Sequence, residues 1–128
     1  MNPVVFDASA ILVALNAEPG SEKLTPAVVD AAISSTVNLA EVQTKLVGLG
    51  MDPAEAWEAT LSSVNTAVDF SAAQAEITGN LVSQTRPLGL SLDDRACLAL
   101  GISLGAPVYT ADKSWKQLKL PIRIHVIR

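Results

Sequence analysis

The stretch Val4-Val5-Phe6-Asp7-Ala8-Ser9-Ala10-Ile11-Leu12 constrains the fold more than any other part of the chain. Its three apolar residues, two of them β-branched, read as a short buried strand, and the small and apolar residues after Asp7 read as a helix. A strand that feeds straight into a helix is the first step of a parallel α/β sheet. Sheets of this kind bind their ligands outside the carboxyl ends of the strands. Asp7 stands at that end.

The same alternation continues down the chain. Helical spacing runs from Ala8 to about Asn16 and stops near Pro19-Gly20. A second short helix is expected from about Ser21 to Asp30, with Pro26 as its weak point. Ala32-Ile33-Ser34-Ser35 is a strand candidate. Asn38 is expected to cap a helix through about Leu49, with Gly48 and Gly50 as its stop. Asp52-Pro53 restarts the chain as an N-cap followed by proline at the first helical position, with Glu55 three residues after the cap, and that helix is expected to reach Asn65. Ala67-Val68-Asp69-Phe70 reads as a brief strand, Ala72 to Ser83 as a helix and Arg86-Pro87-Leu88-Gly89 as a loop. Ser91 begins an Ala- and Leu-rich helix ending near Gly105. Pro107 to Thr110 is a strand, Trp115 lies in a short helix, and Ile122 to Val126 alternates as a strand. This order predicts an α/β fold: a mostly parallel central sheet of about five strands with helices on both faces, three layers in all. No repeat, low-complexity tract or linker interrupts it, so residues 1–128 are expected to form one domain.

Composition narrows the function classes. The 49% apolar content suits a packed globule and not a disordered chain. No secretory signal is expected, since Met1-Asn2-Pro3 is not basic and Asp7 interrupts the apolar run. No apolar run approaches the roughly 18 residues that span a membrane. The single cysteine, Cys97, suits a reducing cytosol and reads as a core residue on a helix. The net charge of −4 argues against a nucleic-acid partner only if the acids are spread evenly. Carboxylates that hold a divalent cation reverse the local sign.

Asp7, Glu41, Asp94 and Asp112 all fall in a first helical turn or in the cap after a strand or loop. Acids at such positions are favoured by the helix dipole and by capping bonds, and Ser91-x-x-Asp94 resembles a capping box, with Asn38-x-x-Glu41 a close variant. Two features add to that. Asp7 and Asp112 follow two clear strands, which places both at one rim of the sheet. Ser9 and Thr110 set a hydroxyl two residues from each, able to hydrate or orient a metal. Carboxylates crowded in one crevice raise one another's pKa unless a cation joins them, and hard divalent cations prefer such oxygen donors. The single histidine, His125, lies far from these motifs and reads as a strand surface residue, which sets histidine-based acid–base chemistry and a zinc site aside.

Taken together, four motifs carry a family resemblance: Val5 to Ala10, Asn38-Leu39-Ala40-Glu41-Val42, Leu90 to Ala99, and Val108 to Trp115. In this order and spacing the chain resembles the PIN-domain ribonucleases, and within them the VapC-type toxins of bacterial toxin–antitoxin pairs. The resemblance implies a PIN-like three-layer fold in which four acids converge at one end of the sheet and bind Mg²⁺ or Mn²⁺ for endonucleolytic RNA cleavage. By motif match those acids are Asp7, Glu41, Asp94 and Asp112, with Ser9, Asn38 and Thr110 at supporting positions. Adjacent helical residues point about 100° apart, and the family's acid immediately precedes Arg95. That selects Asp94 and leaves Asp93 as a water-exposed helix-start residue. The resemblance also implies a cognate antitoxin as protein partner and a homodimer.

Lys45, Arg86, Arg95, Lys113 and Lys116 lie near these motifs and are candidate phosphate contacts for an RNA substrate, although Arg95 also suits an ion pair that orients Asp94. Asn38 to Asn65 carries Val42, Leu46, Val47, Leu49, Met51, Trp57 and Leu61, more large apolar residues than one sheet face readily covers. Such a surplus suits either core packing or a dock for an amphipathic helix of the antitoxin. Two other classes compare less well. A receiver-type phosphotransfer domain also uses strand-end acids, a hydroxyl and a lysine, but its acid pair follows the first strand, and here Asp93-Asp94 comes late. A dinucleotide-binding fold needs a glycine-rich turn after the first strand, which is missing. A non-catalytic binding module on the same fold is the remaining alternative, and the presence of all four acids argues against it.

Overall fold

A computed structural model describes residues 1–128. β1 (Val4–Phe6), β2 (Ala32–Ser35), β3 (Thr66–Val68), β4 (Val108–Thr110) and β5 (Ile124–Val126) form one sheet in the order β3-β2-β1-β4-β5. Every neighbouring pair is parallel, so the sheet is wholly parallel. The opening strand lies at its centre. Phe6 pairs in register with Tyr109, which brings the ends of β1 and β4, and with them Asp7 and Asp112, to one rim.

The alternation of Val4, Val5 and Phe6 divides the core. Val4 and Phe6 face a first apolar cluster with α1 (Ala8–Asn16), α2 (Pro26–Asp30), α3 (Thr36–Gly48) and α4 (Pro53–Ser62). Val5 faces a second cluster with Trp115 and α7 (Leu92–Leu104), beside which lie α5 (Ala72–Asn80) and α6 (Val82–Thr85). The result is three layers. In α7 the run Ala96 to Gly101 is fully buried, which is why it lacks a polar face. Gly101 permits this approach: a Cβ there would come within 2.6 Å of Val108 Cγ2. Cys97 lies wholly inside the second cluster, and burial pushes its thiol well above the ordinary value, in keeping with a packing role.

Several local expectations are corrected. The helix expected over Ser21–Asp30 breaks: a short 3₁₀ turn covers Ser21–Lys23, and α2 begins at Pro26 with Thr25 as its cap. Proline is tolerated at that first position because its missing N–H has no helical partner there. The third strand is Thr66–Val68 and not 67–70. The cap of α3 is Ser35, whose Oγ accepts from the Val37 N–H. Asn38 instead lies inside the helix. By contrast Asp52 caps α4, with Pro53 at its first position, although the helix stops at Ser62. Ser91 and Asp94 form the expected reciprocal capping box on α7.

Candidate active site at the carboxyl rim

Asp7 is the most enclosed of the four acids, 4% exposed. Its Oδ1 accepts from the Ala10 N–H at 2.8 Å and from Ser9 Oγ at 2.7 Å, and its Oδ2 accepts from Thr110 Oγ1 at 2.6 Å. These three donors hold the side chain in one position. The two hydroxyls thus bind Asp7 directly, and in turn accept from the chain after β4: Ser9 Oγ from Ala111 N–H at 2.9 Å and Thr110 Oγ1 from Asp112 N–H at 3.1 Å. Burial pushes the Asp7 carboxyl up from an ordinary 3.8 to about 6, against the three hydrogen bonds, and the charge of Asp94 adds to the rise.

Glu41 lies in the second turn of α3 and not in its first, because the helix starts at Thr36; it is half-buried, and no hydrogen bond engages its carboxylate. Lys45, one turn later, approaches it at 3.9 Å. Lys45 is exposed and the contact is long, so this pair contributes at most about 0.5 kcal/mol. Burial raises the Glu41 carboxyl, and the charges of Asp93, Asp94 and Asp7 raise it further. Asp7, Glu41 and Asp94 therefore sense one another. Asp93 belongs to the same field, and the expectation that it is simply exposed is corrected: it is half-buried, and it acts on Glu41 more strongly than Asp94 does.

Asn38 sits on the face of α3 that meets the start of α7. It is 1% exposed, and its Nδ2 donates to the Asp93 carbonyl at 3.1 Å. Its Oδ1 is buried with no hydrogen-bond partner. A buried acceptor without a donor costs about 1–3 kcal/mol, so a group beside the acids has something to gain by reaching it.

The remaining two acids are turned to their own caps. Asp94 Oδ2 accepts from the Ser91 N–H at 3.0 Å, and Asp112 Oδ1 accepts from Ser114 N–H at 2.9 Å and Ser114 Oγ at 2.8 Å. Asp112 is exposed. No three of the acids are drawn into a metal-holding group in this arrangement. Mutual repulsion favours it, since a carboxylate turned back on its cap keeps its charge from its neighbours.

The basic candidates divide. Arg95 donates from Nη1 to the Thr78 carbonyl at 2.9 Å, near the end of α5, and makes no ion pair with Asp94. Arg86, Lys113 and Lys116 are exposed. His125 stacks on Tyr109, with centroids 4.6 Å apart, well inside β5. Burial, with Arg123 nearby, lowers its pKa.

Sequence reasoning missed two features of the rim: the coupling of Asp93 to Glu41, and the orphaned oxygen of Asn38. Both follow from α7 packing against α3. The one local signal was the doubled acid Asp93-Asp94, since neighbouring carboxylates at a helix start cover two faces.

The family model described as PIN domain matches residues 4–120. No curated protein matches the chain by sequence. Among solved structures, the fold is similar to DNA-bound VapBC from Salmonella typhimurium, at 16% identity and TM-score 0.76 over the whole of both chains. It is also similar to VapBC2 from Rickettsia felis bound to a promoter DNA fragment, at 21% identity and TM-score 0.71 over 94% of this chain and 96% of that one. A third is Mycobacterium tuberculosis VapC20, a Sarcin-Ricin loop cleaving toxin, at 19% identity and TM-score 0.70 over 94% and 98%. At these identities the likeness is one of fold.

Proposed function

The chain belongs to the PIN-domain family, and from that premise we propose that it is a divalent-metal-dependent endoribonuclease that acts as the toxin of a toxin–antitoxin pair. The observation that carries the reading is Asp7, buried and fixed by Ser9 and Thr110 at the carboxyl rim of a parallel sheet, where ligands of such sheets bind, with the Asp112 turn brought to the same rim by the pairing of β1 and β4. The donor set fits Mg²⁺ or Mn²⁺: all-oxygen carboxylates, with the unpartnered Asn38 Oδ1 beside them and no thiol or imidazole among them. Asp7, Glu41, Asp94 and Asp112 are the residues that would hold it. When bound, the ion would lower the pKa of a water and offset the negative charge that builds on the phosphodiester.

The protein's own residues have separable roles in this reading. Ser9, Thr110 and the Ala10 N–H fix Asp7 before any substrate arrives, so no ordering cost falls on the reaction. Thr110 also ties the start of the Asp112 turn to Asp7. Glu41 is the one acid of the four that no donor engages, which leaves its carboxylate free to take the proton of the attacking water. Asn38 acts through Asp93, holding the start of α7 against α3.

The partner half of the proposal rests on α3 and α4. Val47, Leu49, Met51, Trp57 and Leu61 remain exposed there, Leu49 to 83%. Asp52, Glu55 and Glu58 border this apolar face, and α4 carries no basic residue. A basic amphipathic helix of the antitoxin complements it in both respects.

The test is cleavage of total RNA by the purified protein in Mg²⁺, with and without EDTA, alongside Asp7→Asn. The expected result is cleavage that chelation and the substitution each abolish. Cleavage that survives EDTA would overturn the metal dependence, and full activity of Asp7→Asn would remove Asp7 from the site.

A further inference from the structure

The charge of this chain is divided by position. All thirteen acidic residues lie within residues 1–112 with only four of the nine basic ones, a net charge of −9. Residues 113–128 hold the other five, Lys113, Lys116, Lys119, Arg123 and Arg128, and no acid, a net charge of +5. The fold turns this into a division in space. Residues 113–128 run from the end of β4 through β5, one edge of the sheet. The acidic helices α4 and α5 lead into and out of β3, the opposite edge.

Packing holds the basic segment in place. Trp115, 1% exposed, anchors the 3₁₀ turn Lys113–Gln117 in the second core and leaves Lys113 and Lys116 exposed on either side of it. Beyond the turn, Leu118, Leu120, Ile122 and Ile124 pack against the same core, while Lys119, Pro121 and Arg123 between them are exposed. Lys119 and Arg123 are thus both left to solvent on either side of the bend at Pro121 and Ile122. Neither ion pair of the structure involves these four cations, whereas Arg128 is paired with Glu18 at 2.6 Å. A row of four uncompensated cations therefore begins one residue after Asp112.

We propose that this row is the track for the RNA backbone on one side of the scissile phosphate, so that the strand crosses the β4–β5 end of the rim and is kept from the β3 end. The inference rests on the nuclease reading of the four acids. A divalent ion at the rim would offset the charge of the scissile phosphate alone, so the neighbouring phosphates of the strand need cations of the chain, and the α4 and α5 side offers acids where the β5 side offers bare lysines. Each phosphate neutralised adds to the salt dependence of binding, by about 0.7 in the log–log slope for a single strand. The row thus predicts both where the RNA lies and how its affinity responds to salt.

The experiment is fluorescence anisotropy of a short, fluorescein-labelled, single-stranded oligoribonucleotide of mixed sequence, titrated with the full-length protein in EDTA at several salt concentrations. Lys113→Gln combined with Lys116→Gln should weaken binding by about tenfold or more at low salt and reduce the slope by about 1.4. Lys119→Gln with Arg123→Gln should act in the same direction. Lys23→Gln with Arg128→Gln removes the same net charge from outside the row and should leave both readings unchanged. All six side chains are exposed, so the fold is expected to tolerate these substitutions. An unchanged slope in the Lys113/Lys116 pair, or an equal loss in the control pair, would overturn the track. Cleavage by the unsubstituted protein in Mg²⁺ is scored separately. Its absence would remove the nuclease reading without altering what the binding curves say of the row.

Discussion

Thr110 donates its hydroxyl hydrogen to Asp7 Oδ2 at 2.6 Å, across 103 residues of sequence, and accepts the Asp112 N–H with the same oxygen. One hydroxyl thus lowers the pKa of one proposed ligand and positions the backbone of another. Thr110→Val keeps the shape of the side chain and removes both bonds. Its expected effects are a stability loss of about 1–3 kcal/mol and a further rise of the Asp7 carboxyl above its value of about 6. The acidic limb of the pH–rate profile for RNA cleavage should therefore move to higher pH. A limb that stays in place would show that Asp7 ionisation does not govern activity.

The raised pKa of Asp7 also has a sign for stability. Folded, the carboxyl titrates at about 6 against an ordinary 3.8. The folded state then binds the proton more tightly, so the stability this group contributes is fully present below 3.8 and is lost as pH rises through 6. At neutral pH the ionised, buried Asp7 costs about 3 kcal/mol relative to its acidic form. Asp7→Asn removes that ionisation, and the second lone pair of Thr110 Oγ1 can accept the new amide N–H. Thermal melts should show Asp7→Asn more stable than the parent at neutral pH, with the difference shrinking as pH falls toward 4. Mg²⁺ should raise the parent's Tm at neutral pH and leave the variant's unchanged. A variant melting lower at neutral pH would mean that the hydrogen bonds outweigh the burial of charge.

Asp93 and Asp94 separate by the same logic. Asp94 is the proposed ligand, and Asp94→Asn should lower cleavage by at least about 100-fold, while an amide oxygen there still accepts the Ser91 N–H and limits the structural loss to about 1 kcal/mol or less. Asp93→Asn should leave a folded, metal-dependent enzyme. It removes the charge that raises Glu41 most strongly, so the part of the acidic limb that Glu41 sets should shift to lower pH while the part set by Asp7 stays in place. Kinetics of the two variants across the acidic range decide the assignment. Equal losses from both would make Asp93 a fifth member of the site.

The parts of the fold that were legible in the sequence are those decided locally. Val4-Val5-Phe6 is strand by residue type, and Asp52-Pro53 and Ser91-x-x-Asp94 are helix starts by capping chemistry, each confirmed by a specific hydrogen bond. What was misread depends on neighbours distant in sequence. Ser35 and Asn38 are both good caps, and the choice between them is made by β2 pairing with β3 as far as Ser35–Val68. The helix must start there, and Asn38 is carried inside it to face α7. Asp93 reads as exposed in the sequence because the packing of α7 on α3 has no trace in a single helix. The same holds for the rim. The sequence sets the hydroxyls of Ser9 and Thr110 near the acids, but only the pairing of β1 with β4 shows that both serve Asp7.

Trp57 and Leu61 lie four residues apart on α4, each 41% exposed, and so form one stripe on its outer face. Side chains of this size left half in water on a helix whose charges are all acidic suit a covering helix with apolar residues every three or four positions and Lys or Arg along its margins. Trp57→Ala combined with Leu61→Ala removes the stripe, and because both side chains are already partly hydrated, the cost to the isolated fold should be small. The parent, coexpressed with the small open reading frame adjacent to its gene, should copurify with that product and be inactive on RNA. The double variant should lose the copurifying protein, retain RNA cleavage and arrest growth despite coexpression. Copurification that persists in the double variant would place the antitoxin elsewhere on the surface.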